Sequence, residues 1–283
     1  MIKMNNGIEI PQVGFGVYMM TPEECEVCVV QALKNGYRLI DTANIYMNER
    51  AVGRAIKKSE ITREEIFLTT KLWPSDYGYE KTKKEIHATL NRLDTDYIDL
   101  LLLHQQFGDF IGAWTAMEEA VKAGTVRTIG LSNFNLKNLK KLIEETNIKP
   151  AVMQVECHPY FQELEMKDFL KPYGTFLESW YPLGHGDKKL LEEPIFAELA
   201  NKYGKSNVQI ILKWHMQEGN IVIPKSTNPE HILSNIDLFD FKLSDIEMSF
   251  IRKLDKKKRY FNIPELLQRI MFTTYKPNFD KQK

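Results

Sequence analysis

The sequence predicts an α/β fold, a (β/α)8 TIM barrel with an N-terminal hairpin and two extra helices, on the strength of three observations. Eight short apolar runs recur along the chain: residues 13–18 (VGFGVY), 37–42 (YRLIDT), 66–72 (IFLTTKL), 99–104 (DLLLLH), 126–133 (VRTIGLSN), 151–157 (AVMQVEC), 175–183 (TFLESWYPL) and 221–226 (IVIPKS). They are near-continuously apolar, as strands covered on both faces are, which is the habit of parallel sheets. Amphipathic helical patterns separate them, and eight strand–helix units is the number that closes into a barrel.

Taken in order, the chain opens with an Asn5-Asn6-Gly7 turn between Ile2-Lys3-Met4 and Ile8-Glu9-Ile10, a hairpin signature placed to plug the bottom of a barrel. Helical patterns follow over 21–36, 48–59, 79–93, 108–124, 135–147 and 163–174, then a long region from Pro194 to Gly219, then 228–237. Several begin at a capping Thr, Asn or Asp and end at Gly36, Gly124, Gly174 or Gly219. Residues 187–219 have room for one helix beyond the seventh barrel helix, and SDIEMSFIRKLD (244–255) reads as another after the eighth unit. Residues 256–283, a basic run and then scattered aromatics, form a C-terminal loop and tail, a lid or a loose terminus. All 283 residues are expected in one barrel domain.

Composition narrows the function classes. At 43% hydrophobic and 27% charged, with zero formal net charge and a pI of about 7.0, the chain carries no electrostatic footprint of nucleic-acid or anionic-lipid binding. Small molecules are the expected partners. No apolar stretch spans a bilayer and the amino terminus lacks a signal-peptide core, so the cytoplasm is the expected compartment. Three cysteines form no disulfide framework; Cys25 and Cys28, spaced C-x-x-C on a helix without a second pair, read as packing residues rather than zinc ligands. No metal site is expected.

The chemistry gathers where strands end. Asp41 closes the second run and Tyr46 follows in its loop, while Lys71, His104, Ser132 and Gln154 each close a run of their own. Asp41 alone is an ordinary cap and Tyr46 alone an ordinary loop aromatic; their joint occurrence with Lys71 and His104 on neighbouring strands carries the argument. A phenol is a poor acid at neutral pH, but a nearby ammonium lowers its pKa, and Asp41 supplies the counter-ion that keeps Lys71 charged. His104 is placed to polarise a carbonyl. A proton donor reduces nothing without a hydride source, and no Rossmann fingerprint is present: Gly14 and Gly16 are followed by Met19. The later strand ends offer the polar groups a dinucleotide needs: Ser132, Asn133 and Gln154 for a carboxamide, Trp180 as a flat surface, Lys225 and Ser226 for a phosphate.

With these residues in view, the sequence resembles the aldo-keto reductases, through DTANIYMNE (41–49), TKLWP (70–74), LLLHQ (101–105), GLSNF (130–134), QVECHPY (154–160), WYPLG (180–184) and IPKSTNPEHI (223–232). The likeness runs from about residue 8 to 264, and HQQFGDFIGAW is similar to the bacterial diketogluconate reductase-like and prostaglandin F synthase-like branch. It implies reduction of aldehydes or ketones with NADPH, or alternatively NADH. By the same resemblance Tyr46 is the general acid, tuned by Lys71 and Asp41, and His104 positions the carbonyl beside Trp73. Leu183 falls in the loop over the pyrophosphate, Lys225, Ser226 and Asn228 match the 2′-phosphate site, and Asn235 matches an adenine contact. His231 stands where the family usually has an arginine against that phosphate, Tyr181 where a serine is common, and Gln106 where a proline is. The resemblance favours a monomer. The competing reading is a cofactor-sensing regulatory barrel with little or no turnover.

Overall fold

The computed structural model describes all of Met1–Lys283. Ten strands are present: β1 (Ile2–Lys3), β2 (Glu9–Ile10), β3 (Phe15–Gly16), β4 (Leu39–Asp41), β5 (Phe67–Leu72), β6 (Ile98–Leu103), β7 (Val126–Ser132), β8 (Val152–Glu156), β9 (Phe176–Trp180) and β10 (Ile221–Val222). Strands β3 to β10 pair in parallel in chain order, and a parallel bridge from Val13 to Val222 brings the last strand back to the first. Gly14 N donating to Val222 O at 2.8 Å and Val222 N donating to Gln12 O at 2.9 Å reinforce that seam. The barrel is closed, and each expected strand is there.

Twelve α-helices cover it: α1 (Pro22–Lys34), α2 (Glu49–Lys58), α3 (Tyr79–Leu93), α4 (Phe110–Ala123), α5 (Leu136–Glu145), α6 (Leu164–Leu170), α7 (Lys188–Leu191), α8 (Pro194–Tyr203), α9 (Asn207–Gln217), α10 (Pro229–Ile236), α11 (Asp245–Arg252) and α12 (Glu265–Thr274). The region 194–219 is two helices because Gly204 turns left-handed at φ 64° and Ser206 starts α9 with a capping box to Gln209. Together α7 and α8 precede the seventh barrel helix, and α11 follows the eighth. The tail is not loose: it carries α12, which lies across the barrel mouth.

Two layers of core follow from strand alternation. Inward side chains, among them Leu39, Phe67, Leu100, Leu102, Val152 and Ile221, pack on Met4 and Ile10 of the hairpin, which plugs the bottom. Asn5 Nδ2 pins the hairpin turn to Pro150 O at 3.0 Å. Outward side chains join the inner faces of the helices in the largest core cluster, where Cys25 and Cys28 are buried as free thiols. At Gly130, in β7, a Cβ would stand 2.5 Å from Val152 O, so only glycine lets β7 and β8 approach there.

Candidate active site

Each reactive side chain is delivered by the end of a strand. Asp41 is the last residue of β4, Lys71 lies one before the end of β5, His104 follows β6 and Ser132 ends β7. Tyr46 sits in a single 3-10 turn, Asn44–Tyr46, whose exit Met47 is left-handed at φ 58°. Asn48 secures that turn from behind, accepting from Thr42 Oγ1 at 2.8 Å and donating to Val17 O at 3.1 Å.

The structure brings the expected four together. Lys71, with no exposed surface, donates from Nζ to Asp41 Oδ1 at 2.6 Å, to Thr42 O at 2.9 Å and to Tyr46 Oη at 3.3 Å. The imidazole of His104 meets the Tyr46 ring edge-on, centroids 5.7 Å apart, and the Trp73 ring at 5.3 Å. Burial holds the His104 pKa well below its ordinary 6.5, with the Lys71 charge acting the same way, so the ring is neutral near pH 7.

One expectation is corrected here. Lys71 was to lower the phenol's pKa, yet the Tyr46 phenol is pushed well above 10, first by burial and then by the Asp41 charge. The ammonium is already paired with Asp41, so little positive potential is left over for the neutral enzyme's phenol. The Tyr46 hydroxyl therefore keeps its proton at neutral pH, with the Lys71–Asp41 pair in hydrogen-bond contact beside it.

A cleft of about 760 Å³ opens onto these groups and runs past Gly16, Ser132, Asn133, Gln154 and Trp180 to Leu183, Gly186, Pro224 and Lys225. Asp41, Tyr46, Trp73 and His104 line it, as do Ile45, Phe261 and Phe272. A smaller groove of about 300 Å³ beside Arg63 and Tyr97 holds none of the candidate residues. Of the residues expected at the far end only Lys225 lines the cleft; Ser226, Asn228, His231 and Asn235 do not. Asn228 caps α10, accepting from Glu230 N at 2.8 Å, and Ser226 Oγ accepts from Asn228 N at 3.1 Å. Lys225, Asn228 and His231 are exposed, while Asn235 is buried.

Asn133 is committed to the protein itself. At φ 60° its amide donates to His104 O at 3.1 Å and Ser132 Oγ at 3.0 Å and accepts from Trp180 Nε1 at 2.9 Å. It therefore aims the Trp180 indole instead of offering a free amide. Gln106, in place of a proline, accepts from Asn135 N at 2.9 Å and Asn138 Nδ2 at 3.0 Å and so ties the loop after β6 to the start of α5. Tyr181 is left-handed at φ 53° and its ring lies on that of His185, centroids 4.5 Å apart.

Of the two expectations for the tail the structure bears out the lid, and it adds one group, Glu178, that the sequence reading did not single out. Phe272 of α12 packs edge-on against Trp73, whose Nε1 donates to Tyr275 O at 3.1 Å, so the tail roofs the pocket. Glu178, in the middle of β9, is fully buried beside Gln154 and Asp41, and burial followed by the Asp41 charge pushes its carboxyl up to about 8. A carboxylate inside the apolar run TFLESWYPL was the sequence signal for it.

Comparison with known proteins identifies the family. The pattern of the Aldo/keto reductase family matches residues 12–256. The chain is 42% identical to the glyoxal reductase of Bacillus subtilis, covering 94% of this chain and 96% of that one, and 40% identical to the methylglyoxal reductase DkgA of Escherichia coli K12, covering 91% and 94%. Its fold superposes on an aldo-keto reductase of Bombyx mori solved in complex with NADP at a TM-score of 0.88, with 33% identity over 93% of this chain and 94% of that chain. On sequence and fold alike, the chain belongs to the aldo/keto reductase family.

Proposed function

We propose that this enzyme reduces small aldehydes and ketones, α-oxoaldehydes foremost, with NADPH preferred over NADH, acting as a cytoplasmic monomer built on one barrel domain. The single observation that carries the reading is the Asp41–Lys71–Tyr46 chain of contacts at the cleft floor with neutral His104 beside it. A bound nicotinamide supplies the hydride. Every remaining step belongs to the chain's own residues. His104 offers an imidazole N–H to the carbonyl oxygen and orients it. Tyr46 gives that oxygen its proton, and the Lys71 ammonium, held by Asp41, takes up the phenolate charge.

The cleft fits a dinucleotide: it is long, Trp180 presents a ring held by Asn133, and Gln154 and Ser132 present polar atoms beside it. Ser132 and Gln154 hold the carboxamide, with Asn133 positioning both Ser132 and Trp180. Leu183 covers the pyrophosphate, while Lys225, Ser226, Asn228 and His231 face the 2′-phosphate and Asn235 the adenine. His231 is a weaker phosphate partner than arginine, since imidazole carries only a partial charge at neutral pH. The aromatic lining of Trp73, Phe261 and Phe272 over the reacting groups suits short carbonyl compounds, in keeping with the activities named in the B. subtilis and E. coli relatives. A cofactor-sensing role without turnover has no supporting observation.

Steady-state NADPH oxidation with glyoxal, methylglyoxal, keto sugars and quinones, repeated with NADH, tests this. The expected result is turnover of the short α-oxoaldehydes with an NADPH advantage of about tenfold; no turnover of any carbonyl, or a clear NADH preference, overturns the corresponding part.

A further inference from the structure

Glu178 has no part in the chemistry described so far, yet its placement is unusual. It stands opposite Gln154 in the β8–β9 register and points into the barrel on the same face as Phe176 and Trp180. Its Oε2 accepts from Gln154 Nε2 at 3.0 Å, and the same nitrogen donates to Asp41 Oδ2 at 2.9 Å. Both hydrogens of the Gln154 amide are thereby used on two carboxyl groups from opposite sides. No protein donor reaches Gln154 Oε1, yet the atom is not sealed from solvent; Gln154 lines the cleft, so this oxygen faces it. Turning the amide over would set that oxygen against the Asp41 carboxylate and strand its NH2 group in the cleft.

We propose that Glu178 is a positioning residue which, with Asp41, clamps the Gln154 amide so that its carbonyl faces the cleft as the acceptor for a nicotinamide carboxamide N–H. The proposal rests on the reading of this cleft as the dinucleotide site. Asp41 is the charged partner, bound to Lys71. Glu178 is the neutral one at pH 7, so the clamp adds no second negative charge beneath the Tyr46 hydroxyl. Around Glu178 the other charged or titratable groups are Asp41, Lys71 and the Tyr46 hydroxyl; β10 contributes the apolar pair Ile221 and Val222. Glu178 acts through Gln154 and touches no reacting atom.

The test is cofactor affinity, read by quenching of tryptophan fluorescence without substrate. NADPH is compared with its reduced 3-acetylpyridine analogue, which has a methyl group where the carboxamide has its nitrogen. Wild type binding NADPH, and turning over glyoxal with it, secures the underlying reading independently of this proposal. For Glu178→Met the expected result is NADPH binding weakened about fivefold, the worth of one hydrogen bond, with affinity for the analogue unchanged. Glu178→Gln, whose side-chain carbonyl still accepts from Gln154, restores NADPH binding to within about twofold of wild type. Glu178→Ala carries the same expectation as Met and serves if Met strains the barrel. Wild-type NADPH affinity in the Met or Ala variant, or equal weakening toward NADPH and the analogue, overturns the proposal while leaving the assigned activity standing.

Discussion

The His104 pKa is lowered and the Tyr46 pKa raised, and both departures keep an uncharged hydrogen-bonding group at the cleft floor. The imidazole is kept neutral by burial and by Lys71, which in the proposed mechanism lets it meet a carbonyl as an N–H donor without adding a cation next to Lys71. The phenol is kept protonated by burial and by Asp41. Because the His104 pKa is lowered, its protonation lies on the acid side of the ordinary 6.5, and no acid limb from this residue should appear near neutrality. The rate of reduction is therefore expected to stay level from about pH 6 to about pH 7.5. A pH profile of kcat with NADPH saturating checks this, and a fall centred near pH 6.5 that disappears in His104→Gln would contradict it.

At the scale of elements, the tail does the most unexpected work. After roofing the pocket with Phe272, the chain crosses to α2, where Gln282 accepts from Glu49 N at 2.8 Å and donates to Asn44 O at 3.3 Å. Asp280 reaches Arg92 at 3.3 Å, and Phe279 is buried with Trp73 and Phe107. The C-terminus thus fastens to the segment that carries Tyr46. Removing residues 265–283 strips the roof without touching the Asp41–Lys71 pair, so KM for glyoxal should rise about tenfold while bulkier aldehydes gain relative to it. Kinetics of the truncated enzyme on both substrate sizes check this; an unchanged size preference would show that the tail does not shape the pocket. The sequence of residues 256–283 left a lid and a loose terminus both open, because the aromatics show no clean period and the anchoring contacts span 188 to 238 residues of sequence. The split of 194–219 was legible in principle: Gly204 and Ser206 are a helix stop and a cap.

Across the whole molecule, what could be read from sequence was whatever strand alternation and strand endings dictate. Eight apolar runs with helices between them force closure, and closure gathers Asp41, Lys71 and His104, because each ends a neighbouring strand. What could not be read depends on which side chains share a hydrogen bond in three dimensions. Asn133 aiming Trp180, Gln106 bridging to α5, and the sign of the Tyr46 shift all belong here. Glu178 carries a cost that the fold must bear. Its carboxyl binds a proton more tightly folded, at about 8, than at its ordinary 4.5, so its contribution to stability is greatest at low pH and is lost as pH rises between those values. Glu178→Gln removes that loss. It should leave the melting temperature nearly unchanged at about pH 5 and raise it by about 4 °C at about pH 9, on the order of 2 kcal/mol. Calorimetry at the two pH values checks this; an equal effect at both would mean the carboxyl does not titrate in that range.

The central claim, that the Tyr46 hydroxyl delivers the proton while the rest of the cleft binds cofactor without it, is tested most directly by Tyr46→Phe. Glyoxal reduction and NADPH binding should be measured on the same preparation. The expected outcome is a loss of about 10²- to 10⁴-fold in kcat with the NADPH dissociation constant within about twofold of wild type. Turnover close to wild type in this variant would contradict the account.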